Sequence, residues 1–559
     1  MRLIVVGGVA GGMSAAARAR RLDESAEIIV LDKGPYVSFA NCGLPYFVGG
    51  EIEKQESLLV QTPQRLRAAL NLDVRPEHEV TGLDAAARTV TVRSAAGEQQ
   101  LSYDALILSP GANAIAPPLP GLDSSRVRTL RTVDDAVALK ELATDARRAV
   151  VLGAGFIGLE AAEALERRGL DVTVVELAPQ VLPPLDTGMA NLVQDELTRL
   201  GMTVRTGVAA TEVRGGSDED TVVLGDGTEI PADLIVLSVG VKPATEIFEA
   251  AGVACERGAI LVDEHGRTNL PGVWAVGDAT ASLDPITGAR RTVALAGPAN
   301  RAGRLVADDI FGHPTARPIP APVGTAIVRV GELTAAMTGA NKRTLTGAGI
   351  EHHTVDLHPN QHAGYFPGAA QIALSVHFRA NDGLLLGAQA VGIEGVDKRI
   401  DVLATAIRAQ MSVSDLIDLD LAYSPPYGNA KDPVNLVGMF GQNVLDGTTR
   451  LWYAQDLDDV RKSALVLDTR SPAEYATGAI PGSLNIAHTE LRGRIDEVRA
   501  AAAGRPVRTV CASGMRSYIA HRVLTQAGLD SATLSGGMKT LRAWLGSRTR
   551  EELKEGKSL

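Results

Sequence analysis

The chain reads as an α/β protein assembled from several parallel-sheet units, and three observations carry that expectation. Two short apolar strands break into glycine-rich turns at residues 7–12 and 153–158, each followed by a helical stretch and a second strand that ends on an acid. A third strand ends at Thr509-Val-Cys511, and the short turn from Cys511 to Arg516 again leads into a helix. Short apolar runs alternating with helical patterns are the signature of βαβ units.

The first unit is Leu3-Ile-Val-Val-Gly-Gly-Val-Ala-Gly-Gly12, an Ala-rich helix to Leu22, and the strand Glu27–Leu31 ending at Asp32. Val9 stands in the middle-glycine place of G-x-G-x-x-G, and Asp32 follows Gly7 by 25 residues, placed to accept from a ribose hydroxyl. The second unit matches the full spacing with Gly153, Gly155 and Gly158, then a helix over 160–168 and the strand 171–176. There the first glycine makes the turn, the second admits a pyrophosphate and the third lets helix and strand pack closely. Glu176, at the strand's end, would bond a 2′-hydroxyl and repel a 2′-phosphate, which favours NADH while leaving NADPH possible. Asp104–Ala112 and Thr268–Asp278 read as two further strands, the latter ending in Gly277-Asp278.

Composition sets the outer bounds. Lys+Arg 55 against Asp+Glu 66 gives a net charge of −11, which argues against a general nucleic-acid surface. No apolar run approaches the length of a membrane span. Glycine pairs interrupt residues 1–19, and Arg18, Arg20 and Arg21 follow, so a strand, turn and helix is expected there rather than a secretory signal. The three cysteines, Cys42, Cys255 and Cys511, make neither a disulfide scaffold nor a Cys-x-x-Cys metal site, so no metal is expected and a cytoplasmic location is.

A glycine turn, a second glycine turn and then Gly-Asp, in that order, resemble the pyridine-nucleotide–disulfide oxidoreductases over about residues 1–445. The resemblance implies FAD at the first turn, NADH at the second, and electrons passing from NADH through FAD. The cofactor-binding candidates are Gly7, Gly8, Val9, Ala10, Gly12, Asp32, Lys33, Gly111, Gly153, Gly155, Phe156, Ile157, Gly158, Glu176, Gly240, Gly277, Asp278 and Ala299. Dithiol members carry two cysteines after the first βαβ unit, whereas Ser38-Phe-Ala-Asn-Cys42-Gly-Leu-Pro-Tyr46 holds one. A lone thiolate beside flavin and a helix N-terminus can attack a disulfide or persulfide and form a mixed disulfide.

That segment is similar to coenzyme A–disulfide reductases and persulfide-reducing relatives. The resemblance implies a homodimer in which Tyr365 and Tyr423, in His362-Ala-Gly-Tyr365 and Leu421-Ala-Tyr423, serve the partner's site. It also implies coenzyme A or a related small thiol as substrate, met by Arg18 and Arg21 at the nucleotide end and by Ser38, Phe39 and Asn41 beside Cys42. Asn71 stands where relatives carry a lysine. Two alternatives are an NADH oxidase or peroxidase, whose glycine-turn His is replaced here by Ala10, and a non-catalytic flavoprotein sulfur sensor.

Residues from about 455 to 548 resemble rhodanese: Asp468-Thr-Arg470, Glu474-Tyr475, Gly478-Ala-Ile-Pro-Gly482, and Cys511-x-x-Gly-x-Arg516-Ser517. Backbone N–H groups converging on Cys511 would stabilise a thiolate or persulfide, and Arg516 would pair with Glu474 or orient the loop. The expected domains are FAD-binding over 1–120 and 246–320, NAD(P)H-binding over 121–245, dimerisation over 321–445, a linker over 446–456 and rhodanese over 457–559.

Overall fold

A computed structural model describes residues 1–554. The chain divides into two compact units. The first comprises Met1–Pro179 and Gly201–Gly324; the second comprises Gln180–Leu200 and the chain from Thr325 onward.

The first unit holds two five-stranded parallel sheets. One has the order Val273–Ala275, Ala105–Leu108, Arg2–Val6, Glu27–Leu31, Asp73–Arg75. The other has the order Thr203–Thr206, Asp171–Glu176, Arg148–Leu152, Leu234–Leu237, Val127–Arg128. Their central strands are buried on both faces, which is why they read as unbroken apolar runs rather than alternating ones. Register is regular: Leu3 faces Ile28 on one side and Ala105 on the other.

The second unit carries a five-stranded antiparallel sheet, ordered Ala326–Val330, Leu333–Gly339, Leu385–Gly392, Ala373–Arg379, His352–Leu357. A further parallel sheet runs Leu451–Trp452, Ser531–Leu534, Val507–Val510, Leu465–Asp468, Leu484–Asn485. Among the described residues no helix is long and apolar enough to cross a membrane.

Two boundaries differ from expectation. Helix Thr187–Arg199 groups with the second unit although it falls inside 121–245. Its apolar face (Met189, Ala190, Val193, Leu197) is buried, and Asn191 Nδ2 donates to the Ala543 carbonyl at 2.8 Å. Nor is 446–456 a free linker. Leu451–Trp452 pairs with Ser531–Leu534 as an edge strand, and Trp452 is buried in the C-terminal core. The module is also tied to the antiparallel sheet, since Ser535 Oγ accepts from the Asp356 N–H at 3.0 Å and donates to its carboxylate at 2.8 Å. His358 Nε2 meets Thr540 Oγ1 at 2.8 Å, and burial pushes His358 down to about 4, so that ring is neutral. A linker reading rests on polar, turn-rich composition, which cannot show that two apolar residues within it complete a sheet.

Candidate active site

The two glycine turns are built alike. Gly7 and Gly153 have φ of +97° and +103°, and a Cβ on either would lie 2.0 or 2.4 Å from a backbone carbonyl. Gly12 and Gly158 bring each helix onto its turn, with a Cβ 1.9 or 2.0 Å from the carbonyl of Gly7 or Gly153. A Cβ on Gly155 would meet nothing within 4 Å, the open space a pyrophosphate needs at the start of helix Phe156–Arg167. Helix Ala10–Leu22 likewise begins at Val9 without a side-chain cap. Both cradles fit dinucleotides.

The acids serve the turns as well. Asp32 accepts from Gly8 N–H at 2.7 Å and Gly34 N–H at 2.8 Å, while burial pushes its carboxyl up. Glu176 accepts from Ala154 N–H and Ala178 N–H, both at 2.7 Å. Both acids thus lock their turns, and each carboxylate oxygen keeps a lone pair that would fit a ribose hydroxyl. Lys33 donates to Asn113 Oδ1 at 3.2 Å, and Gly111 and Gly240 adopt φ of +69° and +119°. Gly277 (φ +83°) and Asp278 form a 3-10 turn, and a Cβ on Gly277 would meet that of Ala299 at 3.7 Å. Asp278 pairs with Arg131 at 3.3 Å, a partner no motif marks, because Arg131 lies 147 residues away in an irregular stretch.

Cys42 is exposed in the 3-10 turn Asn41–Gly43, just before helix Leu44–Val48. Desolvation first, then the carboxylates of Glu160 and Asp278, push its thiol up. The expected thiolate is therefore not stabilised by the chain's own charges around it. Among the described residues, Asn41 Oδ1 is buried without a hydrogen-bond partner. Ser38 occupies the left-handed region (φ 50°), its N–H donating to the Gly8 carbonyl at 2.8 Å, and Phe39 bridges to Leu59.

The basic helix face resolves into three different roles. Arg18 is held by Asp308 at 2.5 Å. Arg20 is buried and donates to four carbonyls, of Leu70, Asn71, Asp23 and Glu24. Arg21 is exposed and donates to the Ala17 carbonyl at 3.3 Å. Asn71 itself ends helix Pro63–Leu70 in the left-handed conformation, a structural position.

In the second unit the two tyrosines, 58 residues apart in sequence, come together: their hydroxyls lie 3.2 Å apart. Both are exposed, Tyr365 at 76% and Tyr423 at 48%. The hydrogen bond to Tyr423 raises the Tyr365 pKa.

Cys511 is buried at 1% exposure. Gly514 N–H points at its sulfur at 3.2 Å, ahead of helix Met515–Gln526. Arg516 binds Glu474 through two hydrogen bonds of 2.7 and 2.6 Å, the pairing with Glu474 that was one of its two expected roles, and the Cys511 sulfur also acts on its guanidinium. Glu474 is held down to about 2, chiefly by Arg516. The buried pair Arg470–Asp468, at 2.6 Å, braces the strand end below. Gly537 leaves room for the loop, since a Cβ there would sit 2.4 Å from the Cys511 carbonyl.

Two nucleotide cradles, a lone cysteine between them in the chain, and a second cysteine in a helix-capped loop define a flavin- and nicotinamide-dependent oxidoreductase carrying a rhodanese module. The chain belongs to the pyridine nucleotide-disulphide oxidoreductase family, which residues 1–303 match. Residues 325–433 match that family's dimerisation domain and 449–543 the rhodanese-like domain. It is 36% identical to the coenzyme A disulfide reductase of Staphylococcus haemolyticus over 442 residues, 78% of this chain and 98% of that one. Among solved structures it resembles reduced Bacillus anthracis CoADR-RHD, at 40% identity and a TM-score of 0.95, covering 98% of each chain. It also resembles a NAD-dependent persulfide reductase from A. fulgidus, at 36% identity and a TM-score of 0.89, covering 97% of this chain and 100% of that one.

Proposed function

We propose that this protein is an NADH-dependent reductase of coenzyme A disulfide and of coenzyme A persulfide or polysulfide, working as a cytoplasmic homodimer. The observation that carries the reading is the exposed, solitary Cys42 in the flavin-binding unit, beside the orphaned amide oxygen of Asn41. With no second cysteine in that segment, the thiol must form its disulfide with the substrate.

In this reading Arg21, with Arg18 behind it on Asp308, meets the nucleotide end of the substrate, while Ser38, Phe39 and Asn41 line the approach to Cys42. The Cys42 thiolate attacks the near sulfur in line and expels a thiolate or hydrosulfide. The partner subunit's Tyr365 and Tyr423, whose hydroxyls lie together, donate to the departing sulfur anion. The two glycine turns, with Asp32, Glu176 and Asp278, would hold FAD and NADH, which when bound would supply the electron pair that returns the mixed disulfide to thiols. The balances are NADH + H⁺ + CoA-S-S-CoA giving NAD⁺ + 2 CoA-SH, and NADH + H⁺ + CoA-S-SH giving NAD⁺ + CoA-SH + H₂S. Cys511 would carry sulfane sulfur as a persulfide shielded by its loop, to or from such a thiol. Glu176 sets the preference for NADH.

The test is stopped-flow reoxidation of NADH-reduced holoenzyme by coenzyme A disulfide, coenzyme A persulfide and inorganic polysulfide, with NADPH as the alternative reductant. Rapid reoxidation by at least one of them, with NADH preferred, is expected. Reoxidation by oxygen alone, at a rate no sulfur substrate raises, would overturn the reading.

A further inference from the structure

One ion pair joins the two tyrosine loops beneath the surface. Arg399, on helix Val396–Arg408, is 1% exposed. Its Nη2 donates to the Gln361 carbonyl at 2.7 Å and to Asp432 Oδ2 at 2.8 Å, and its Nε reaches Asp432 Oδ1 at 3.4 Å. Its Nη1 donates to the Gly395 carbonyl at 3.3 Å.

Gln361 is the neck of the loop that carries Tyr365. Its N–H donates to the Ala370 carbonyl at 2.9 Å, its side-chain oxygen accepts from Ala370 N–H at 2.6 Å, and its amide donates to the Gly368 carbonyl at 3.1 Å. Asp432 closes the loop that carries Tyr423 and caps helix Pro433–Leu445, accepting from Val434 N–H at 3.0 Å. A parallel tie runs alongside, in which Asn429 Nδ2 donates to the Asn360 carbonyl at 2.8 Å. At the surface, the two hydroxyls are left 3.2 Å apart.

Burying two charges is costly, and well-packed apolar side chains would hold two loops together as firmly. What they could not do is fix a carbonyl of one loop and a carboxylate of the other to one rigid plane, which a guanidinium does. We infer that Arg399, paired with Asp432, is the positioning residue that sets the spacing of the Tyr365 and Tyr423 hydroxyls. It touches no substrate and acts through the tyrosines, so the inference rests on the role proposed for them above.

The test uses the dimeric holoenzyme and separates flavin reduction by NADH from reoxidation by coenzyme A disulfide. Arg399→Lys keeps the charge but offers a point donor in place of the planar fork. It should slow reoxidation about tenfold, lowering kcat with little change in KM and none in flavin reduction, because misplaced donors cost rate rather than binding. Asn429→Ala, which leaves the ion pair intact, should slow reoxidation by a smaller factor, roughly threefold. In the Tyr365→Phe/Tyr423→Phe background neither change should slow the step further. Equal slowing with and without the hydroxyls would overturn the inference, and so would wild-type reoxidation in both single variants. Should Arg399→Lys fail to fold, the same non-additivity in Asn429→Ala decides. If the double Phe enzyme reoxidises at the wild-type rate, it is the tyrosine reading that fails.

Discussion

Cys42 and Cys511 each precede a helix, yet the chain treats the two sulfurs in opposite ways. Cys42 is exposed, stands before a helix of five residues, and has its thiol pushed up by desolvation and then by two carboxylates. Cys511 is buried, stands before a helix of 12 residues, receives a backbone N–H at 3.2 Å and has a guanidinium beside it. A helix dipole is felt at its N-terminus only when enough peptide units align behind it, so the longer helix is the better anion site. The first sulfur is open to a bulky partner. The second is buried in a loop whose backbone N–H and neighbouring guanidinium suit an anionic sulfur. A helix N-terminus alone therefore does not say what a cysteine is for; access and the sign of the surrounding charge do.

The comparison breaks most sharply on the thiols themselves. Cys42→Ser should abolish NADH-dependent reduction of every sulfur substrate, by about 10³-fold or more, while sulfur transfer from thiosulfate or a persulfide to cyanide persists. Cys511→Ser should do the reverse, removing sulfur transfer and leaving NADH oxidation with coenzyme A disulfide intact. Loss of both activities in either variant would mean that the two sulfurs form one site.

A smaller effect sharpens the second half. Glu474 is held below its ordinary value of 4.5, at about 2, by Arg516. The folded value lies below the unfolded one, so the pair's contribution is complete above about pH 4.5 and fades as pH falls toward about 2. Both side chains are partly solvated (29% and 39% exposed), so the contribution is under about 1 kcal/mol. Urea midpoints measured at pH 5.5 and 3 should therefore converge in Glu474→Gln relative to wild type; an unchanged difference would place the acid sensitivity elsewhere.

The smallest effect concerns Cys42. Glu160 raises its thiol, so Glu160→Gln should move the pH profile of Cys42 alkylation in the reduced holoenzyme to lower pH. A profile that stays put or moves upward would show that this carboxylate does not govern the thiol.

What could be read along the chain was whatever the chemistry demands within one segment. Glycines at a strand end, an acid at the end of the next strand, and a cysteine followed by a short loop and a helix are each local, so the α/β class, both glycine turns and both cysteine loops were legible. The tyrosine motifs were legible too, but only as separate segments. That Arg18 is spent on Asp308 and Arg20 on four carbonyls, leaving Arg21 outward, could not be read from three arginines on one helix.

The sequence by itself thus determined the kinds of site this protein has, because backbone conformation at a glycine turn and the reactivity of a thiol follow from adjacent residues. Tertiary structure alone decided which charges meet. Arg131 finds Asp278 across 147 residues, Arg399 finds Asp432 and the Gln361 carbonyl, and Trp452 completes a sheet from within an apparent linker. The reason is physical: a charge or an edge strand takes its role from whatever partner the fold brings within about 3 Å, and nothing in the flanking residues encodes that partner.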